Sequence, residues 1–245
     1  MIFSLRWAAA PLLLLSIAAQ AAGIALPQSP EAAAQRMVTL NNGAALQTDE
    51  GKALLAGELE HLDSPGGGTL PTPDKVVRTG PKSAVARVPA IAGANPDLYL
   101  YLEEAGGGWR VSAIRSLALT GVLEEMIRLD AEAPSTDPQV RKAIRNAKLT
   151  LSSDRGLLAW AKEHGALFAQ VGSEPLSDGL TQALQDAGAN TIHEENGMVV
   201  ISIGGILDNE VGFMLPKSAP VPAIDGRTYI WIEPAGDGWY LFKTT

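Results

Sequence analysis

The sequence predicts an α+β protein in which helices pack on antiparallel, curved sheets and a helix-then-sheet half occurs twice. The first observation is internal: residues 98–112 and 228–242 each contain two strand-like runs around a glycine-rich turn. Six of the 15 aligned positions are identical: Tyr99/Tyr229, Glu103/Glu233, Ala105/Ala235, Gly106/Gly236, Gly108/Gly238 and Trp109/Trp239. The second observation is that helical periodicity precedes strand periodicity in each half. Duplication is one explanation of the repeat, and two unrelated hairpins that converged is the other.

Residues 1–21 have the pattern of a secretory signal peptide. Arg6 gives a positive start, residues 7–19 are apolar, and residues 19–21 read Ala-Gln-Ala, a small-residue cleavage site. The apolar run is shorter than the ~20 residues that span a bilayer. We therefore expect cleavage near Ala21 and export to the periplasm or the medium. An uncleaved N-terminal anchor is the alternative.

Charge and cysteine content exclude several classes of function. The net charge is −8, and removal of Arg6 with the signal peptide leaves 18 basic against 27 acidic residues. Nucleic-acid binding requires clustered basic residues, and the densest group (Arg141, Lys142, Arg145 and Lys148) has the spacing of a solvated helix face. We expect no nucleic-acid partner and no stable membrane insertion after cleavage. Without cysteine there is no thiol nucleophile and no thiolate metal site.

The first half, residues 22–131, is predicted to begin with two helices. Ser29 is an N-cap before Pro30, and Thr48 caps the second helix. The apolar stripes are Ala33, Met37 and Leu40 in the first helix and Leu55, Leu59 and Leu62 in the second. Strands are predicted at 74–79, 83–90, 97–103 and 109–114, with a glycine turn at 106–108. A further helix over 119–130 carries Leu119, Val122, Leu123, Met126 and Ile127.

A loop over 131–137 is the predicted domain boundary, and the second half covers residues 137–245. Its predicted helices are 138–148, one capped by Ser153 or Asp154 with an apolar face reaching Phe168, and 177–187, stopped by Gly188. The predicted strands are 198–206, 211–215, 228–233 and 239–244, and residues 193–195 are read as an exposed strand end before the turn Asn196-Gly197.

The repeated strands present two different faces, because strand side chains alternate. Leu98, Leu100 and Leu102 share a face in the first copy, as Ile230 and Ile232 do in the second. The opposite faces carry Tyr99, Tyr101 and Glu103 and, in the second copy, Tyr229, Trp231 and Glu233. The aliphatic faces suit packing under helices. The aromatic faces form either a second core layer or a binding surface for a protein or a small apolar ligand.

Asp208 and Asn209, close to Gly204 and Gly205, form a second candidate binding element. A carboxylate and an amide in a loop can bind a cation or a partner's backbone. The structural alternative is a bulge at the two glycines and a turn at Asp208-Asn209. A calcium site would need more oxygen ligands than this segment supplies.

Residues 29–114 run helix, helix, then a curved sheet that ends in a hairpin. This order resembles the nuclear-transport-factor-like (SnoaL-like) cone superfamily, which includes ketosteroid isomerases, polyketide cyclases and non-enzymatic binding domains. The resemblance implies a pocket between sheet and helices. In its enzymes an Asp base and a Tyr or Asp donor act there, and no motif transfers these roles to Asp74, Asp97, Tyr99 or Tyr101. The segments 203–212 and 238–245 resemble those of exported bacterial proteins.

No catalytic constellation follows from the remaining residues. His61 has only Asp63 nearby in sequence, and His164 lies on an apolar stripe. No metal or cofactor motif is present. The sequence therefore favours an exported, non-catalytic binding or interaction module with no cofactor and no metal. The alternatives are a small-molecule isomerase or hydrolase with its pocket in the N-terminal cone-like half, and an envelope protein that oligomerises through its aromatic faces.

Overall fold

The computed structural model describes residues 24–42, 45–59, 69–90, 96–118, 120–206 and 209–244. These residues form seven α-helices and two antiparallel sheets of four and five strands, which confirms the predicted α+β class. The predicted signal peptide, residues 1–21, lies outside the described residues. Within them, no helix combines the length and the hydropathy that a bilayer crossing requires.

The first half begins with α1, Pro30–Asn42, and α2, Asp49–Leu54. Both predicted caps are confirmed: Ser29 Oγ accepts from the Ala32 amide at 3.1 Å, and Thr48 Oγ1 accepts from the Gly51 amide at 3.2 Å. The predicted stripe of α1 is buried against the first sheet.

The second helix is shorter than its stripe predicts. α2 ends at Leu54, and Leu55 is extended and forms an isolated bridge with Val111. Leu59 follows in a 3₁₀ turn, Gly57–Leu59, and is buried. These leucines therefore reach the core from an irregular segment, because pairing with the sheet replaces the next helical turn. Leu62 lies outside the described residues.

The first sheet has the order β1-β2-β3-β4 and is antiparallel throughout. Its strands are β1, Lys75–Gly80; β2, Ser83–Val88; β3, Leu98–Ala105; and β4, Gly108–Arg115. Gly106 and Gly107 have φ of 64° and 85°, so a two-residue turn with positive φ joins β3 to β4. Leu100 and Leu102 pack with α1 and α2, which confirms the predicted aliphatic face.

Two helices form a hairpin between the halves: α3, Thr120–Glu132, and α4, Pro138–Thr150. The connecting loop is shorter than predicted, since α3 continues to Glu132. The predicted stripe of α3 is not a core stripe, because no residue of this helix is buried and Val122 is 67% exposed. Leu119 lies outside the described residues.

Three helices cover the second sheet: α5, Asp154–Glu163; α6, Gly165–Ser173; and α7, Asp178–Ala187. The continuous helix predicted toward Phe168 is broken at His164, whose φ and ψ are −97° and 19°. The break turns the chain while Trp160 and Phe168 stay in one core. Gly188, with φ of 124°, ends α7 as predicted.

The second sheet has the order β5-β6-β7-β9-β8. Its strands are β5, Thr191–Glu195; β6, Met198–Ile206; β7, Asn209–Pro216; β8, Tyr229–Gly236; and β9, Trp239–Thr244. Each half is helix-then-sheet, as predicted, but the repeated hairpins join their sheets in opposite ways. The leading strand β3 pairs with β2 in the first half, whereas the trailing strand β9 pairs with β7 in the second.

Candidate functional site

The aromatic strands of the two repeats meet inside the molecule. The rings of Tyr99 and Trp231 stack with centroids 5.0 Å apart and an interplanar angle of 25°. Both side chains are fully buried, and Val85 and Ile230 complete their cluster. At these two positions the structure corresponds to the core-layer interpretation, and neither ring is open to an outside partner.

The predicted alternation of β8 is wrong at its start. The register shifts between Tyr229, opposite Thr244, and Trp231, opposite Lys243. A β-bulge of this kind disturbs the alternation of side chains. Ile230 consequently packs with Trp231, whereas Tyr229 packs with Ile232 on the other side of the sheet. The shared face predicted for Tyr229, Trp231 and Glu233 is therefore divided.

Around the stacked rings lies a buried ionic cluster, which we define as Arg87, Asp154, Glu233 and Lys243. Arg87 of β2 joins both halves: its Nη1 lies 2.5 Å from Glu233 Oε1 and 3.2 Å from Asp154 Oδ2. Its other nitrogens hold both oxygens of Asp74, at 2.8 and 3.1 Å. The guanidinium is thus committed to three carboxylates, the geometry for which arginine is suited.

Asp154, the first residue of α5, is the most enclosed member of the cluster. The Tyr99 hydroxyl lies 2.8 and 2.9 Å from its two carboxylate oxygens. The Lys243 ammonium forms an ion pair with Asp154, 2.7 Å from Oδ1. Asp97 Oδ2 accepts from the Asp154 backbone amide at 2.8 Å.

Glu233 has three partners at the same junction. Besides Arg87, the Lys75 ammonium lies 2.5 Å from its Oε2, and the Trp231 indole donates to Oε1 at 3.2 Å. The corresponding residue of the first repeat, Glu103, is half-buried and pairs in register with Arg110. The identity of Glu103 and Glu233 in sequence therefore does not extend to a common environment.

The pKa directions of Asp154, Arg87 and Tyr99 indicate which of these three groups carry charge. Burial would raise the pKa of Asp154, but the Lys243 charge and further partners hold it below its ordinary value. Burial would lower the pKa of Arg87, but Asp74 and Glu233 raise it instead. Burial, with the charge of Asp154, places the pKa of Tyr99 well above its ordinary value. Asp154 is thus ionised and Tyr99 neutral at neutral pH, so the proton between them stays on the tyrosine hydroxyl.

The pKa of Asp97 is shifted in the opposite direction from that of Asp154. Burial raises its pKa, and the charge of Asp154 adds to the rise. Its Oδ1 accepts from the Ala90 amide at 2.6 Å while Oδ2 accepts from Asp154. One carboxylate thus connects the end of β2 to the start of α5.

Tyr101 lies beside this cluster and is half-buried. Its hydroxyl donates to the carbonyl oxygen of Ile230 at 2.8 Å, which adds a second polar link between the sheets. Burial raises its pKa. Of the predicted tyrosines, Tyr99 and Tyr101 therefore both connect the two halves.

Tyr229 borders a groove on the other face of the second sheet. The groove has a volume of about 90 Å³, and its apolar lining includes Met198, Met214 and Phe242. Tyr229 meets the Phe242 ring edge to face, with centroids 6.0 Å apart. Methionine-rich linings adapt to differently shaped groups. Among the predicted aromatic residues, Tyr229 is the one that the structure places at a surface groove.

The rim of this groove is acidic. Glu195 and Glu210 both line it, together with His193, whose Nε2 lies 3.4 Å from Glu195 Oε2. Burial raises the pKa of Tyr229, and the charges of Glu210 and then Glu195 raise it further. A positively charged group is therefore favoured beside the tyrosine hydroxyl.

The second candidate element is described only in part. Asp208 lies outside the described residues, whereas Asn209 is buried at the start of β7. Asn209 Oδ1 accepts from the Ala118 amide at 3.4 Å. The register of β6 against β7 shifts between Ser202 and Gly204, so the bulge falls at Ile203, one residue before the predicted position, and Gly204 and Gly205 pair in register with Val211 and Glu210. No group of three or more histidine or acidic side chains in the described part of the chain is arranged to hold a metal ion.

Sequence reasoning named Glu233 as a candidate binding residue and Asp154 as a candidate helix cap, but it missed the two cations of the cluster, Arg87 and Lys243. Arg87 follows Ala84-Val85-Ala86, and Lys243 follows Leu241-Phe242, so each lies in an otherwise apolar strand. A charge at a buried strand position is the signal that points to a partner.

No family model matches this chain, and neither the curated proteins nor the solved structures contain a match to it. The groove and the buried ionic cluster are therefore the features that bear on function.

Proposed function

We propose that this protein is an exported, non-catalytic interaction module that receives a side chain of a partner protein in the groove beside Tyr229. The observation that carries the proposal is the combination of a methionine-lined floor with an acidic rim around one accessible tyrosine. Apolar area next to a polar handle is typical of recognition sites.

The size of the groove favours a side chain over a free small molecule. Sites for drug-sized ligands occupy roughly 300–1,000 Å³, whereas this groove holds about 90 Å³. That volume accommodates one aliphatic side chain. Because Glu195 and Glu210 border it, a lysine or arginine fits best, with its methylene groups on the floor and its charge at the rim.

The buried residues support a non-catalytic role for the other candidates. The carboxylates that the cone resemblance brings forward, Asp74 and Asp97, are engaged by Arg87 and by two backbone amides. Tyr99 is engaged by Asp154. These groups hold the two halves together, and the isomerase or hydrolase alternative gains no support from them.

The proposal is tested by methyl NMR with single-residue probes. The chain from residue 22 contains four methionines, of which Met198 and Met214 line the groove while Met37 and Met126 lie in the first core and on α3. Titration with the N-acetyl methylamides of lysine, arginine and glutamate should shift the methyl signals of Met198 and Met214 with the two cationic probes. We expect dissociation constants on the order of millimolar, as suits ligands of this size.

A matched variant distinguishes the acidic rim from the apolar floor. Glu210→Gln should weaken binding of the lysine probe. Binding of a fourth probe, the N-acetyl methylamide of norleucine, which has the aliphatic chain without the charge, should stay unchanged. Equal shifts at Met37, or the same response to the glutamate probe, would contradict the proposal.

Export is tested separately. Expression of the full chain in a bacterium, followed by fractionation and N-terminal sequencing, should give a periplasmic or secreted product that begins at Ala22. A product that keeps residues 1–21 in the cytoplasm would overturn the localisation.

A further inference from the structure

The α3–α4 hairpin carries an apolar surface that the other described parts of the chain leave exposed. Val122 and Leu129 of α3 are 67% and 52% exposed, and Val140 of α4 is 41% exposed. Val122 and Leu129 are seven residues apart, two helical turns, and so lie on one side of α3. Leu129 and Val140 lie at the same end of the antiparallel hairpin. Large apolar side chains exposed together mark contact surfaces.

The two helices of this hairpin have opposite charge. α3 contains Glu124, Glu125, Asp130 and Glu132 against one cation, Arg128, whereas α4 contains Arg141, Lys142, Arg145 and Lys148 and no acid. A cleft of about 330 Å³ is lined by Asp130, Ile144 and the basic residues 141, 145 and 148. An acidic helix with an apolar stripe therefore lies beside a basic helix with a cleft.

We infer that this surface binds a second copy of the same chain, with α3 of each copy against α4 of the other. A two-fold axis makes one patch face itself, so the patch must be complementary to itself. The hairpin meets this condition. Across the axis, the acidic α3 of each copy faces the basic α4 of the other, so the dimer contains two acidic–basic helix pairs. The inference concerns a surface separate from the Tyr229 groove and does not depend on the function proposed there.

The size of the surface sets the strength of the dimer. Thirteen-residue helices are about 20 Å long, so two of them about 10 Å apart present a face of roughly 400 Å² per copy. The total of roughly 800 Å² lies below the ~1,200–2,000 Å² of stable interfaces. The dimer is therefore weak and concentration-dependent, and salt weakens it further.

Sedimentation velocity of residues 22–245 over a concentration series tests the inference. The native chain should pass from monomer to dimer as its concentration rises, and added salt should weaken the dimer. Two variants reverse one helix each. Arg141→Glu, Arg145→Glu and Lys148→Glu together make both helices acidic, and Glu125→Lys with Glu132→Lys makes both basic. All five side chains are exposed, and circular dichroism checks that each variant keeps its fold.

Each variant alone should dimerise at least about tenfold more weakly than the native chain, because like charges then face each other. An equimolar mixture should dimerise again, since an acidic copy against a basic copy restores both contacts. A native chain that stays monomeric at every concentration would overturn the inference. So would variants that dimerise as well as the native chain, or a mixture that stays monomeric.

Discussion

The guanidinium of Arg87 in the first sheet lies 2.5 Å from the carboxylate of Glu233 in the second, and neither side chain is more than 9% exposed. The pair is separated by 146 residues in the chain. Burying charges is costly, and the attraction between them offsets the cost only when the remaining hydrogen-bonding groups are also satisfied. Asp74, Lys75 and Trp231 supply those further contacts.

We predict that Glu233→Gln destabilises the protein by about 3 kcal/mol, since removal of one partner leaves buried charge without compensation. Urea unfolding followed by tryptophan fluorescence measures the change. Glu103→Gln is the matched control: Glu103 occupies the same position of the first repeat and is half-buried. Its effect should remain within about 0.5 kcal/mol. Equal losses for both variants would mean that the Arg87 junction contributes nothing specific.

The stability of the protein should depend more on the hydroxyl group of Tyr99 than on that of Tyr101. Tyr99 donates to the ionised Asp154, so Tyr99→Phe should cost about 1.5–3 kcal/mol. Tyr101 donates to a neutral carbonyl, so Tyr101→Phe should cost about 0.5–1.5 kcal/mol. Denaturant unfolding of the two variants gives the comparison. A larger loss at Tyr101 would contradict the assigned hydrogen bonds.

Asp97 should make the protein more stable as the pH falls. Its pKa in the folded state is raised above that of the unfolded chain. The folded state therefore binds the proton more readily, and this group adds stability as the pH falls through its folded pKa toward about 3.9, the unfolded value. Asp154, with a lowered pKa, acts in the opposite direction below that value.

The variant Asp97→Asn isolates this effect. The free energy of unfolding of the native chain minus that of the variant should grow between neutral pH and about pH 4, then level off. Unfolding curves at a series of pH values measure the difference. A difference that shrinks with acidification would show that the pKa of Asp97 is lowered, not raised.

Two glycine-to-alanine substitutions should change the stability of the protein in opposite directions. A Cβ at Gly205 would overlap the carbonyl oxygen of Asn209, so Gly205→Ala should disrupt the pairing of β6 with β7 and destabilise the protein. A Cβ at Gly121, in the first turn of α3, meets nothing within 4 Å. Gly121→Ala should therefore stabilise by up to about 1 kcal/mol, because alanine loses less backbone freedom on folding. Thermal unfolding measures both, and a stabilised Gly205→Ala chain would contradict the close approach of the Asn209 backbone to Gly205.

Elements with local signals could be predicted from the sequence. The cap at Ser29, the stop at Gly188 and the positive-φ turn at Gly106 each depend on residues within one or two turns. The break at His164 and the early end of α2 could not be predicted, because both depend on contacts with a distant sheet. The same apolar stripes would fit continuous helices in isolation.

In the candidate site, too, features set by local sequence were predicted and features set by distant contacts were not. The alternation of β3 correctly separated Tyr99 and Tyr101 from the leucines. The bulge at Ile230 places Tyr229 on the opposite face of the sheet from Trp231, and no neighbouring residue type predicts this bulge from the sequence. Arg87 and Lys243 were missed because each lies alone in an apolar strand, and sequence spacing does not reveal which distant carboxylate each one meets.

The order of the cluster along the chain has a consequence for assembly. Lys243 lies in β9, C-terminal to every other member of the cluster, yet it is the cation closest to Asp154 at the start of α5. A polypeptide that emerges N-terminus first thus contains Arg87 and Asp154 long before Lys243 is added. The buried charges are therefore complete only once the last strand of the chain has been made and has paired with β7.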